Sequence, residues 1–458
     1  MKIIVSNNIR IQDPDRKIKD YAEENLVMKN PDYLRNQRLG YSNYKTPQYL
    51  VFYEINGNEL ILPFGCLTDL FTMYPLEVFE NRIVLGKHIA YKSNIKLFDY
   101  QEEVCKKAIL RKNGVIVMPA GSGKTQTALE IIARLKLKTL WITHTIDLLN
   151  QSYDRAKNNF ADIGLGKIAN GKIKIGTHIT FATVQTLKSI DLQEYADTWD
   201  CIIVDECHRV CGTPAKAGMF YKVINKLVAR YKYGLTATPY RNVKGTEKAM
   251  FSLLGKTIIE LDKDVIGSRI VPATIIKQYT NFYEIPNECL DIDGTIKYAK
   301  LTTALSEDEE RNNLILSILT KCTNNYTLVL ADRVNQLYSL QEKIGYGNVI
   351  DGKTKKDIRE KAIEEVRTGK QKVLFATYGL AKEGLDIPRL DRLILASPHR
   401  DKATVIQAVG RIERKFENKE KPICYDLVDP IKYFENMYKT RKSYYRKNNN
   451  EIVEMWRN

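Results

Sequence analysis

The sequence predicts an α/β protein with two parallel-sheet domains in tandem behind a small N-terminal α/β domain. Three observations carry this. From Leu97 onward, short β-rich runs alternate with amphipathic helical stretches, as expected of parallel strands joined by covering helices. The runs fall into two groups, about 96–260 and 270–430, with Gly267, Pro272 and Pro286 at or just past the change. The first 95 residues differ in texture and are nearly neutral, with 12 Lys/Arg against 11 Asp/Glu. The expected domains are therefore 1–95, 96–265 and 266–458.

In the N-terminal part, residues 1–12 alternate like a strand. Residues 15–27 have helical spacing with Lys17, Asp20, Glu23 and Glu24 on a charged face. Two β-rich runs, 48–54 and 58–62, flank Ile55-Asn56-Gly57, and Asn-Gly is a strong hairpin signal. Strands are then expected at 114–118, 139–143, 179–183, 201–204 and 233–236 in the first large domain. In the second they are expected at 326–331, 373–377 and 392–397.

Composition narrows the function classes. The chain has 458 residues and 71 Lys/Arg against 55 Asp/Glu, a net charge of +16. Nearly all of the excess lies beyond residue 95. Such a body suits a polyanionic partner, although composition fits equally a basic protein without one. The apolar run 114–118 is far short of the roughly 18 residues a membrane span needs. No export signal is evident at the start, so a cytoplasmic location is expected: the bacterial host cytoplasm if the chain is phage-encoded. Eight scattered cysteines without a C-x-x-C pair do not make a zinc or iron–sulfur site.

Two motifs carry chemistry. Met118-Pro119-Ala120-Gly121-Ser122-Gly123-Lys124-Thr125 follows an apolar strand and precedes a helical pattern, the setting of a phosphate-binding loop. Gly121 and Gly123 let backbone N–H groups converge on phosphate oxygens, with Ala120 and Ser122 before and between them. Lys124 supplies a cation for the β/γ-phosphates, and the Thr125 hydroxyl suits Mg²⁺. The strict pattern has glycine where Met118 stands. Further on, Cys201-Ile202-Ile203-Val204 is a buried strand ending in Asp205-Glu206-Cys207-His208. Asp205 suits Mg²⁺, and Glu206 suits the polarisation of an attacking water. ATP and Mg²⁺ are the expected cofactors.

Together these motifs resemble those of superfamily 2 helicases, and further signatures occur in order over about 97–430. Gln101, in Leu97-Phe98-Asp99-Tyr100-Gln101, resembles the adenine-reading glutamine. Relatives often carry arginine where Phe98 stands, so Phe98 or Tyr100 is the alternative stacking partner for adenine. The run from His144 to Gln151 resembles the first strand-binding motif, with His144 in place of the usual proline. Thr183-Val184-Gln185-Thr186-Leu187 resembles the next, and Gly234-Leu235-Thr236-Ala237-Thr238-Pro239 the motif that couples ATP to nucleic acid. The run from Ala376 to Pro388, with Gly384 and Asp386, resembles the fifth motif, and that from Gln407 to Arg414 the sixth. The resemblance implies two RecA-like domains that bind ATP, with Arg411 and Arg414 as arginine fingers. It also implies Gln101, Gly384 and Asp386 at the nucleotide, His208 and Thr236 as the coupling pair, and Thr145, Thr183, Thr377 and Gln407 toward nucleic acid.

Within the family the chain resembles phage UvsW-type, RecG-like branch-migration helicases. Arg311-Asn312, Asp351-Gly352-Lys353-Thr354 and Asp426-Leu427-Val428-Asp429 carry that likeness. The implied function is ATP-driven remodelling of forks and Holliday-type junctions. The expected partners are single-stranded, forked and junction DNA, with no membrane and no obligate protein partner, for a monomer. A duplex translocase that separates no strands, an RNA helicase and a nucleotide-switched clamp are the alternatives. The full hydrolytic set, Glu206 with Arg411 and Arg414, argues against a clamp.

Spacing places Arg411 and Arg414 three apart, on one face if both are helical. Phe434, Tyr438, Arg441, Tyr444, Tyr445 and Arg446 also fall at helical spacing. They read either as a base-stacking surface or as an amphipathic helix packed on the second domain. The Asn56-Gly57 hairpin reads as an ordinary hairpin rather than a wedge.

Overall fold

The computed structural model describes the chain except residues 120, 238–246, 263, 264, 266, 268, 269, 383, 384, 386, 400, 457 and 458. Three expected nucleotide-site residues, Ala120, Gly384 and Asp386, lie outside the described residues. The chain divides into two compact units, one of residues 1–119 and 123–262 and one of the loop residues 120–122 with 263–458.

The first unit begins with a five-stranded sheet. Its order is Glu54–Asn56, Glu59–Pro63, Asn8–Gln12, Lys2–Val5, Phe79–Asn81, and the last pair is parallel. What reads as one strand over residues 1–12 is a hairpin turning at Ser6-Asn7. The hairpin expected at Asn56-Gly57 is rearranged too. Its first arm is split: Tyr49–Val51 pairs with Val27–Lys29, and only Glu54–Asn56 pairs with Glu59–Pro63. Asn56 sits opposite Glu59, so the turn residues are Gly57 and Asn58, with Gly57 at φ +59°. The helix Arg16–Leu26 starts where Asp15 Oδ1 accepts the Ile18 N–H at 2.9 Å. It buries Ile18, Ala22 and Leu26 against Ile3, Ile9, Ile11 and Leu62.

This N-terminal segment falls in the same compact unit as the first large parallel sheet. Asn7 Nδ2 donates to Asn225 O at 2.6 Å, and Lys248 Nζ to Asn25 O and Val27 O, each at 3.0 Å. Gly65 lies so close to the backbone of Phe251 and Gly255 that an added methyl group would collide.

The main sheet of this unit has the order Lys172–Lys174, Leu165–Ala169, Ile179–Thr183, Thr139–Thr143, Cys201–Asp205, Tyr231–Thr236, Asn113–Val117, Thr257–Glu260. Only the Lys172–Lys174 edge is antiparallel. Its strands Asn113–Val117, Thr139–Thr143, Ile179–Thr183 and Cys201–Asp205 are buried throughout, as apolar runs between helical layers must be.

The second unit holds a seven-stranded, wholly parallel sheet. Its order is Asn348–Ile350, Val373–Thr377, Thr327–Ala331, Arg392–Leu395, Ile423–Val428, Thr274–Tyr279, Ile452–Met455. The helix Lys432–Lys447 packs on it and settles the two readings of its aromatic stripe. Phe434, Tyr438 and Tyr445 are buried, so they do not form a stacking surface. Arg441 grips Asp426 through two bonds, 2.8 and 2.7 Å, and Tyr445 Oη donates to the same carboxylate at 2.8 Å. Arg311 is likewise buried, with Nε 2.9 Å from Asp429. Both acids of Asp426-Leu427-Val428-Asp429 thus anchor arginines of the core. A buried ion pair needs such multiple bonds to offset its desolvation.

No helix among the described residues is long and apolar enough to cross a membrane. Seven of the eight cysteines are buried, and Cys211 is exposed.

Candidate nucleotide and coupling site

The strand Asn113–Val117 delivers Met118 and the loop to the helix Lys124–Leu135. Gly121 and Gly123 hold φ of +82° and +79°, backbone that glycine adopts at little cost. The loop leads into the N-terminus of this helix, where backbone N–H groups and the helix dipole favour an anion. Lys124 Nζ donates to Met118 O at 3.2 Å and to Pro119 O at 3.4 Å, so its charge lies beneath the loop. Gln101 is fully buried. Its Oε1 accepts the Phe98 N–H at 3.0 Å, and its amide nitrogen lies against Gly123. The same side chain caps its own helix and borders the loop. The rings of Phe98 and Tyr100 stack at 5.9 Å, with Phe98 partly exposed.

Parallel pairing brings the carboxylates to this point. Cys201–Asp205 lies beside Tyr231–Thr236, which lies beside Asn113–Val117. Asp205, Thr236 and Met118 therefore emerge at the same sheet end, and Met118 N donates to Thr236 O at 2.9 Å. Glu206 comes next at φ +50°, a left-handed turn that aims its carboxylate back toward the site. Burial and the neighbouring Glu206 push the Asp205 carboxyl well above the ordinary carboxylate value, with the Lys124 charge opposing. Burial also pushes Glu206 upward, but the His208 hydrogen bond and the charges of His208, Lys124 and His144 outweigh it. Glu206 is thus held below the ordinary carboxylate value.

His208 Nδ1 lies 3.0 Å from Thr236 Oγ1 and 3.2 Å from Glu206 Oε2. One ring nitrogen faces both the acid and the hydroxyl. Cys207, between the acid and the histidine, is fully buried with Sγ 3.3 Å from Met250 Sδ. An added methyl on Gly234 would strike Cys207, so the glycine makes room for the thiol.

Thr143 pairs with Thr183 across adjacent strands, which places Thr145 and Thr183 near each other. Thr145 Oγ1 accepts the Leu148 N–H at 3.4 Å as cap of the helix Ile146–Asn159. Thr183 Oγ1 lies 3.0 Å from Thr186 Oγ1. Gln185 Nε2 donates to His144 O at 2.7 Å and ties the two motifs together.

In the second unit, Thr377 ends the strand Val373–Thr377, and Gln407 and Arg411 lie on the helix Lys402–Ile412. Arg411 Nη1 donates to Leu385 O. Arg414 does not share that helical face, which corrects the expectation. The helix ends at Ile412, and Arg414 forms an antiparallel bridge with Ile270. Buried Glu413 draws the chain out of the helix: Asn450 Nδ2 and the Ala273 N–H donate to its carboxylate at 2.8 and 3.3 Å.

Two further residues reach this site, only one of which, His144, stands out in the sequence. Arg155, on the helix Ile146–Asn159, donates from Nη1 to Thr125 Oγ1 at 3.1 Å, and its charge reaches Asp205. His144 contributes charge at Glu206, a consequence of the pairing of Ile142 with Val204. Arg155 gives no motif signal, whereas His144 stands out only as an imidazole where the family has proline.

Two family models match the chain: the type III restriction enzyme res subunit over residues 94–241 and the helicase conserved C-terminal domain over 296–415. A putative ATP-dependent RNA helicase of Acanthamoeba polyphaga mimivirus is 29% identical over 353 residues, 75% of this chain and 65% of that protein. The DNA 3'-5' translocase XPB2 of Sulfurisphaera tokodaii is 28% identical, over 74% of this chain and 83% of that protein. A probable helicase of Escherichia phage T5 is 23% identical over 447 residues, 93% of this chain and 90% of that protein. The chain spans between 60% and 83% of the length of the first three curated relatives it matches. In fold it is similar to the ATP-dependent Type ISP restriction-modification enzyme LlaBIII bound to DNA. There the TM-score is 0.57 at 17% identity, covering 80% of this chain and 32% of that one.

Proposed function

From a superfamily 2 helicase, the family to which the two domain matches assign this chain, we propose an ATP-driven DNA motor that remodels forks and four-way junctions. The observation that carries this reading is the contact chain Glu206–His208–Thr236 beside Lys124 and Asp205. It joins a hydrolytic carboxylate to the residue expected to couple ATP to nucleic acid. The named DNA translocase and phage helicase among the relatives support DNA as the track.

In this reading Gly121, Ser122, Gly123 and Lys124 bind the phosphates of ATP and Gln101 borders the nucleotide. Thr125 Oγ1 and the Asp205 carboxylate are hard oxygen donors, and the upward shift of Asp205 marks a site short of positive charge, which fits Mg²⁺. Bound there, Mg²⁺ would neutralise charge on the phosphate oxygens. Glu206, held ionised by its neighbours, orients the water. Arg411 and Arg414 are assigned to the charge that develops on the transferred phosphoryl group. Thr145, Thr183, Thr377 and Gln407 are assigned to the nucleic-acid backbone, contacts that position without reading sequence. Residues 1–95 are assigned to branch recognition, and the chain is proposed to act as a monomer.

A second reading, an RNA helicase, is favoured by the naming of the mimivirus relative. Strand displacement on a DNA fork, a four-way DNA junction and an RNA duplex, with and without ATP, separates the two. ATP-dependent opening of the DNA substrates alone supports the proposal, and opening of the RNA duplex alone overturns it.

A further inference from the structure

The first unit contains a groove of about 560 Å³ that the motor chemistry does not use. It lies where the N-terminal segment meets the end of the helix Asp99–Arg111. Its floor is apolar: Phe64 is buried beneath it, and Phe71 and Phe79 pack with ring centroids 4.6 Å apart. Apolar side chains remain open to water at its edge, with Phe71 47%, Leu76 71% and Leu110 79% exposed. Solvated leucines and a phenylalanine around one concavity are the usual mark of an interaction site.

The rim has one sign of charge. Arg111, Lys112 and Arg230 line the groove, and no Asp or Glu is among its described lining residues. None of the three cations makes an ion pair among the described residues. Lys112 carries a further mark. It ends the helix at φ +65°, where its N–H donates to Ala108 O at 2.9 Å. Glycine takes that backbone freely, whereas a side chain there costs about 1 kcal/mol. A strained backbone kept with a lysine points to a use for the ammonium group.

We propose that this groove docks an acidic peptide segment of a partner protein, with a bulky apolar side chain seated on the phenylalanine floor and carboxylates on the Arg111, Lys112 and Arg230 rim. Charge complementarity selects this occupant. A second copy of the chain, itself at +16, would be repelled. A nucleic-acid strand would meet the cations but lack open aromatic faces, because Phe71 turns onto Phe79 and the exposed edge is mostly aliphatic. Such a partner would sit at the far end of the helix whose first turn carries Gln101.

The test uses the full chain and a fluorescein-labelled ten-residue peptide of aspartates with two phenylalanines, read by anisotropy at fixed salt. Binding should weaken about tenfold in Lys112→Glu and in Leu110→Ser, and with alanines replacing the peptide's phenylalanines, since tenfold is the loss of about one good contact. Lys112→Gly discriminates further: relief of the backbone strain should raise the melting temperature while peptide binding falls. An unlabelled oligo(dT) should leave the bound peptide in place. Absence of binding to the parent chain, equal binding by the variants, or displacement by oligo(dT) would overturn the proposal, the last by making the groove a polynucleotide site.

Discussion

The Nδ1 atom of His208 stands 3.0 Å from the Thr236 hydroxyl while also 3.2 Å from a Glu206 carboxylate oxygen. The ring nitrogen can serve only one oxygen fully at a time. Any shift of Thr236 is therefore felt at Glu206. Thr236→Val keeps the shape and removes the hydroxyl. Loss of one hydrogen bond of about 1–1.5 kcal/mol predicts about tenfold less strand displacement per ATP hydrolysed, with basal hydrolysis within about threefold. Parallel ATPase and displacement assays check this. An unchanged ratio of the two rates would remove Thr236 from coupling.

Glu206→Gln retains size and loses the carboxylate. It should bind ATP within about threefold of the parent yet turn over at least about 100-fold more slowly, the range for loss of a positioned base. Equilibrium binding of a fluorescent nucleotide beside steady-state turnover measures both, and normal turnover would place the base elsewhere.

With Thr125 proposed to hold Mg²⁺, the Arg155 guanidinium bonded to its hydroxyl would oppose the metal there, because two cations cannot share one oxygen cheaply. Arg155→Gln should lower the Mg²⁺ concentration needed for half-saturation with fluorescent ADP by about threefold or more. A higher Mg²⁺ requirement would instead make Arg155 a phosphate ligand.

Buried Lys232 lies 4.2 Å from the Phe64 ring and donates to Leu227 O at 2.9 Å. Burial pushes its ammonium group down to about 7. The unfolded chain holds this proton up to about 10.4, so it binds more protons than the folded chain between the two values. The cost to stability is full below about pH 7 and fades as pH rises toward 10. Lys232→Met should therefore gain melting temperature over the parent at pH 6.5, with the gain shrinking at pH 9.5. A gain that grows with pH would contradict this sign.

The parts of this molecule that are legible in sequence are those where chemistry or burial leaves little choice. The strands at 139–143, 179–183 and 373–377 match to the residue, because each is an apolar run buried on both faces. Leu165–Ala169, Thr257–Glu260 and Ile452–Met455 escape notice, being short strands toward the sheet edges that mix charged or polar residues with apolar ones. Lys124, Asp205 and Glu206 announce themselves by spacing. Arg155 does not, since one arginine among the charges of an amphipathic helix has no local signature. The aromatic and basic stripe at 434–446 is ambiguous in sequence because its partner, Asp426, is fixed by the fold rather than by local sequence. The end of the helix before Arg414 is hidden for the same reason: Asn450, which holds Glu413, is far along the chain.

In the proposed reading this chain is a nucleic-acid-stimulated ATPase whose phosphate cation is Lys124. The direct measurement is steady-state ATP hydrolysis with and without single-stranded DNA, for the parent chain and for Lys124→Ala shown to melt cooperatively. Single-stranded DNA should stimulate the parent at least about tenfold. Lys124→Ala should lose at least about 100-fold, since it lacks a charge-assisted contact to the β/γ-phosphates. Near-normal stimulated hydrolysis by folded Lys124→Ala, or no stimulation of the parent, would contradict it.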